Sequence, residues 1–210
     1  MTQPLALYDD ALQGGHPLVL RYADGLERRH EVSRWVAPAD AADEALLHRC
    51  TGPTVDLGCG PGRLVAALAV RGVPALGVDL SARAVAMART RGAAAIARDL
   101  FAPLPGEGRW DTALLIDGNV GIGGAPARLL ARVRRLVRPG GTLFVEVHPD
   151  DVERRGHARL VAVSGQVSGG FGWAEVGAPA LRRLAGRTGW RVREEWTDAG
   201  RAFTGLARDR

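Results

Sequence analysis

The stretch Thr54-Val55-Asp56-Leu57-Gly58-Cys59-Gly60-Pro61-Gly62-Arg63-Leu64 constrains the fold of this chain more than any other. Val55 to Leu57 is a short apolar run that suits a buried parallel strand. A glycine turn follows, and then Leu64, Val65, Leu68 and Ala69 recur at helical spacing. Strand, glycine turn and helix form a unit that binds small ligands at the turn. Glycine accepts positive φ and puts no Cβ in a ligand's way. The first helical turn leaves N–H groups free.

The glycine spacing narrows the ligand. A dinucleotide fold wants G-x-G-x-x-G. Gly58 and Gly60 fit that pattern, but Arg63 takes the third place, and Gly62 makes the run D-x-G-x-G-x-G. Val73 to Ser81 is a second apolar run, closing in Asp79 about twenty residues past Gly58, where a ribose diol would sit. Ala95-Ile96-Ala97-Arg98-Asp99-Leu100-Phe101 is a third, closing in Asp-Leu-Phe. Together these motifs resemble class I S-adenosylmethionine (SAM)-dependent methyltransferases over roughly residues 54–147. The resemblance implies SAM as cofactor. It implies a binding set of Asp56, Gly58, Cys59, Gly60 and Gly62 from the loop, Asp79 and Leu80 at the ribose, Asp99 and Leu100 at the adenine, and Asp117 and Gly118 near the sulfonium. A nicotinamide oxidoreductase is disfavoured by Arg63. It is also disfavoured by the absence of lysine, which rules out a Tyr-x-x-x-Lys pair.

The chain has 210 residues, enough for one domain with a sizeable core. Its 28 basic residues are all arginine, scattered among 23 acids, with a net charge of +5. No like-charge block or aromatic-interleaved basic face marks a nucleic-acid surface. The cysteines, Cys50 and Cys59, make no disulfide framework. The start lacks a signal-peptide pattern, and no apolar stretch is long enough to span a membrane. The expected setting is cytoplasmic and reducing, with no membrane or nucleic-acid partner. A homodimer stays open.

Before the glycine loop, residues 5–13 suggest a helix carrying Tyr8. Two extended runs then flank Ala23-Asp24-Gly25, a hairpin signal. Asp40 looks like a helix cap. After residue 54 strands and helices alternate, which implies a parallel sheet with helices on both faces. Asp198-Ala199-Gly200 joins two terminal runs as an antiparallel pair. The expected fold is therefore α/β: a doubly wound, mostly parallel seven-stranded sheet with a C-terminal antiparallel hairpin. An N-terminal helix and hairpin cap, residues 1–50, precedes a methyltransferase domain, residues 51–210.

Ligands in such sheets bind beyond the carboxyl ends of the strands. Three loops are expected to meet there: the glycine loop, the loop after Ile116 and the loop after Val147. The second holds Asn119, the only asparagine, among Gly118, Gly121, Gly123 and Gly124. Asn119 is a candidate for the methyl acceptor's polar group. Gly118 and Gly121 would let carbonyls approach a cationic centre. His148 in the third loop is a candidate general base. Asp117 lacks the second carboxylate a divalent cation would need, so no metal is expected. Tyr8, His16 and Trp35 from the cap, with Asn119, Phe171 and Trp173, are candidate walls for the acceptor. The resemblance implies methyl transfer to an O, N or C atom of a small molecule, a secondary metabolite among the options. The alternatives are a non-catalytic SAM-binding domain and a macromolecular acceptor.

Overall fold

The computed structural model describes residues 2–209. Among them, seven strands form one sheet in the order β10-β11-β7-β6-β3-β4-β5. Its parallel part is β3 (Thr54–Leu57), β4 (Ala75–Asp79), β5 (Ala95–Ala97), β6 (Trp110–Leu115) and β7 (Val137–Val147). The hairpin β10 (Trp190–Asp198) and β11 (Arg201–Arg208) joins β7 antiparallel. Its two-residue turn puts Ala199 and Gly200 at φ 47° and 77°. Two positive φ values match the strand twist, as primed hairpin turns do.

Helices cover both faces, because the central strands are apolar on both sides. On one face α6 (Pro126–Leu136) and α7 (Ala178–Arg187) bury Leu129, Leu130, Val133, Leu181 and Leu184 against Val55, Leu115 and Val145. On the other, α3 (Ala41–Leu47) and α4 (Arg63–Val70) pack Leu46, Leu47, Leu64 and Leu68 on Leu114, Ile116 and Phe144. Asp40 caps α3 in a reciprocal box with Asp43. The helix α5 (Ala82–Thr90) starts at Ser81, whose hydroxyl accepts from the Ala84 N–H. No helix among the described residues is long and apolar enough to cross a membrane.

A second sheet was not legible in the sequence. Its four strands run β2-β1-β8-β9. The hairpin β1 (Leu18–Tyr22) and β2 (Glu27–His30) supplies one half. The stretch after β7 supplies the other as β8 (Glu153–Ala162) and β9 (Phe171–Val176). Residues 163–170, rich in glycine and serine, form the turn of this long hairpin. β1 pairs with β8 across some 140 residues of sequence, Leu18 opposite Ala162 and Leu20 opposite Leu160. The N-terminal helix α1 (Pro4–Gly14) and the short α2 (Val32–Val36) brace this sheet, with Ala11, Leu12, Leu18 and Val32 in one cluster that reaches Ala84.

Candidate active site

A cavity of about 650 Å3 lies between the carboxyl ends of β3, β4 and β5 and the second sheet. That is within the usual range of small-molecule sites, roughly 300–1,000 Å3. The glycine loop forms its floor. Gly58 and Gly60 have φ of 78° and 52°. A Cβ on Gly58 would lie 2.5 Å from the Asn119 Nδ2, and one on Gly60 would lie 3.1 Å from the Tyr8 hydroxyl. The loop therefore needs glycine both for its angles and for close approach. Gly62 serves differently and does not line the cavity: a Cβ there would meet the Ala88 Cβ at 2.5 Å, so it packs α4 against α5.

Asp79 stands at the cavity wall at the end of β4. One carboxylate oxygen accepts from the Gly60 N–H and the other from the Ser81 N–H, each at 2.8 Å. Each oxygen keeps a lone pair for a further donor, which is what a vicinal diol requires. Burial raises the Asp79 carboxyl, and the backbone donors oppose that shift. Leu80, Asp99 and Leu100 also line the cavity, and Asp99 accepts from the Phe101 N–H at 2.9 Å. Cys59 lines it with its sulfur toward the Gly60 carbonyl; burial pushes its thiol up, so it stays protonated. Asp56 lies beneath the loop rather than on the cavity. Burial, with nearby carboxylates, pushes it up to about 7 against the opposing pull of Arg63.

Asn119 lines the cavity and also has a structural task. Its Nδ2 donates to the Leu57 and Gly58 carbonyls at 3.1 and 2.8 Å. It ties the loop after β6 to the glycine loop, and only its carbonyl oxygen is left for a ligand. Asn119→Ala is expected to cost about 1–2 kcal/mol of stability and to weaken SAM binding as well, because two loop carbonyls lose their donor. Denaturant unfolding and calorimetric titration measure both. Unchanged SAM affinity would mean that the loop holds its shape without this tie.

Asp117 lines the cavity with φ at 57°, but its oxygens are taken by guanidinium groups. Arg63 Nη1 donates to it at 2.6 Å, and Arg34 Nη2 lies at 3.1 Å. Arg63 also donates to Asp43 at 2.8 Å, and Arg201 joins Asp43 to Glu146, both at 2.8 Å. Glu146 accepts from the Asp117 N–H at 2.8 Å. This network ties α2, α3, α4, β7 and β11 to the cavity edge. Burial alone would raise Asp43, but Arg63 and Arg201 prevail and hold it at about 2. Sequence reasoning missed the network; the signal was Arg63 itself, where a glycine was looked for.

Other candidates divide by place. Tyr8, Trp35, Phe171 and Trp173 line the cavity. Tyr8 and Trp35 lie 5.9 Å apart, and Phe171 meets Trp173 edge to face at 6.2 Å. His16 is exposed and stands outside it. Gly118 is the left-handed cap before the short 3-10 turn at 119–124 and does not line the cavity. Gly121 presses on the Ala174 backbone, so it makes room for β9 rather than for a cation. His148 is also outside. Its N–H donates to the Val176 carbonyl, and its Nδ1 accepts from the Asp150 N–H at 3.1 Å. The loop after β7 turns away into β8, so two of the three expected loops meet at the cavity. His30, Leu18, Leu20, Leu160 and Arg98 line it and were not foreseen.

A glycine cradle, a carboxylate with lone pairs to spare and a cavity beyond the strands' carboxyl ends are what a nucleoside ligand would require. The pattern of the methyltransferase-domain family matches residues 27–195, and the chain belongs to that family. It is 34% identical over 116 residues to trans-aconitate 2-methyltransferase of Paracidovorax citrulli (strain AAC00-1), a match covering 53% of this chain and 44% of that protein. The aligned stretch thus spans less than half of that relative. Among solved structures, a SAM-dependent methyltransferase of Bacteroides fragilis in complex with S-adenosyl-L-homocysteine is similar, with TM-score 0.79, 18% identity and coverage of 100% and 96% of the two chains. The Burkholderia thailandensis 1,6-didemethyltoxoflavin-N1-methyltransferase, with bound 1,6-didemethyltoxoflavin and S-adenosylhomocysteine, reaches 0.59 at 20% identity over 100% and 92%.

Proposed function

We propose that this chain transfers the methyl group of SAM to a small, largely apolar molecule held between the glycine loop and the second sheet. The observation that carries this reading is the single enclosure made by both. One wall has the polar groups a nucleoside needs, Asp79 and Asp99; the other is made by Leu18, Leu20, Leu160, Phe171 and Trp173. SAM, when bound, supplies an already activated methyl group. The protein's part is to align and to exclude water, and alignment alone is worth several kcal/mol. Asp79 would orient the ribose, and Gly58 and Gly60 would admit the ligand's backbone-hugging portion. Tyr8, above Gly60, would close the nucleoside side.

The wall chemistry argues against a polyanionic acceptor such as the trans-aconitate named for the Paracidovorax relative. Among the described residues, two guanidinium groups line the cavity. Arg63 is paired with Asp43 and Asp117, and Arg98 is exposed and donates to the Pro103 carbonyl. The Burkholderia neighbour, alike in fold, holds 1,6-didemethyltoxoflavin; a flat, uncharged acceptor suits the apolar and aromatic walls of this cavity.

Trp173→Ala is expected to lower turnover of such an acceptor at least tenfold while SAM affinity stays within about threefold, since the indole belongs to the second sheet and Asp79 to the end of β4. Labelled-methyl transfer to a panel of flat small molecules, paired with SAM titration, measures both. Methyl incorporation into protein or nucleic acid alone, unmoved by Trp173→Ala, would replace this reading with a macromolecular one.

A further inference from the structure

The second sheet turns one face to the cavity, and the strand register says which residues share it. Leu18 lies opposite His30 on β2 and Ala162 on β8, and Leu20 lies opposite Leu160. Directly opposed residues point to the same face. His30 thus stands at the edge of an apolar plate, and it lines the cavity with Leu18, Leu20 and Leu160. Trp35 packs against its ring at 5.7 Å. No side-chain hydrogen bond among the described residues uses either ring nitrogen.

Among the described residues, the carboxylates on the cavity already have places, Asp79 and Asp99 on the nucleoside wall and Asp117 in the arginine network. Asp79 holds two backbone N–H groups, Asp117 holds Arg63 and Arg34, and Asp99 holds the Phe101 N–H. Burial pushes both the Tyr8 phenol and the Cys59 thiol up, so neither gives a base near neutral pH. His30 remains.

Resting on the small-molecule methyltransferase reading above, we propose that His30 takes the proton from the methyl acceptor, and that the acceptor is a protic nucleophile, a phenol-type O–H or ring N–H, on a flat apolar body lying against Leu18, Leu20 and Leu160. The acceptor's O–H or N–H bond breaks, and its proton goes to the free imidazole nitrogen, giving imidazolium. The heteroatom keeps the electron pair and forms its bond to the methyl carbon. That carbon's bond to sulfur breaks, with its pair going to sulfur. The imidazolium then returns the proton to water.

The surroundings fit a base that is neutral at rest. Burial lowers the His30 ring below the ordinary histidine value, while Asp117 and Glu175 pull it back up. Neither carboxylate is bare. Asp117 belongs to Arg63 and Arg34; Glu175, on β9, lies 2.9 Å from Arg28 and 3.5 Å from Arg154. They are close enough to favour the transient imidazolium and too well neutralised to hold the ring charged before reaction.

The test has two arms. In the first, the histidine rings are followed by NMR in the SAH-bound protein, with His30 assigned by the signal lost in His30→Gln. The ring is expected to titrate below about 6.5. Adding 2-naphthol should shift it, and 2-methoxynaphthalene, which has no proton to give, should shift it far less. Naphthol binding that leaves His30 unmoved, or moves it equally with both probes, overturns the assignment and leaves the small-molecule reading standing. Naphthol and every other flat probe failing to bind in the cavity sinks both. In the second arm, a panel of flat phenols and N–H heterocycles is screened with labelled SAM. On whichever is methylated, His30→Gln should lower kcat about a hundredfold or more near neutral pH with SAM affinity within threefold. The parent rate should fall as pH drops through the His30 titration. The variant should recover as pH rises and the acceptor ionises unaided. Turnover by His30→Gln within threefold of the parent, or acceptance of carboxylates alone, overturns the proposal.

Discussion

Arg63→Ala is expected to lower the unfolding free energy by about 3–5 kcal/mol, the cost typical of breaking a buried ion pair from one side. The Arg63 side chain is 5% exposed and Asp43 is fully buried. Removing the guanidinium strips Asp43 of one of two guanidinium partners and Asp117 of its shortest one. Arg201 still holds Asp43, so the loss should fall toward the lower end of that range. The pH dependence separates this cause from lost packing. Asp43 is held at about 2, below its unfolded value, so its stabilisation is complete above about pH 4 and fades as pH falls toward 2. In the variant, burial is opposed by Arg201 and the Asp40 N–H without Arg63, and the carboxyl rises. The gap between parent and variant should therefore narrow as pH falls from the variant's raised value toward 2. Urea unfolding across that window measures it. A constant gap would assign the effect to packing. Arg63→Lys should recover only part of the loss, because an ammonium cannot serve two carboxylates as a planar fork does.

The second large effect is on the cofactor. Asp79→Ala is expected to raise the SAM dissociation constant by about a hundredfold or more. Hydrogen bonds to a charged acceptor contribute roughly 1.5–3 kcal/mol each, and a diol would make two. The structure adds a cost that the motif did not reveal. The same carboxylate holds the Gly60 and Ser81 N–H groups, so alanine also loosens the loop and the start of α5. A lower melting temperature should accompany the lost affinity. Asp79→Asn, which keeps one acceptor oxygen, should fall between. Because burial raises this carboxyl, affinity should also weaken at acid pH as it protonates. Calorimetric titration with SAM and with its demethylated product reads all of this. Affinity within fivefold of the parent would place the diol elsewhere.

The sequence alone determined the main sheet and the glycine-loop side of the cavity, because that part is written in local, contiguous signals. D-x-G-x-G-x-G needs only its own backbone angles to make the turn, and Asp79 needs only to end the next strand. Strand–helix alternation then dictates a parallel sheet, and a two-residue turn dictates the final hairpin. Only the tertiary structure decided the other side of the cavity. β1 pairs with β8 from the far end of the chain, and register between distant strands has no mark in either one. That pairing brings His30, foreseen by no motif, to the cavity, while His148, in the loop where a base was looked for, turns outward with β8. Side-chain partners were equally hidden. Asn119 and Asp117 sit where the motif puts them, yet what they bind is set by Gly58, Arg63 and Arg34, which reach them only after the chain has folded. Local angles and periodicity are properties of neighbouring residues; ion pairs, opposed strands and cavity walls belong to residues the sequence keeps apart.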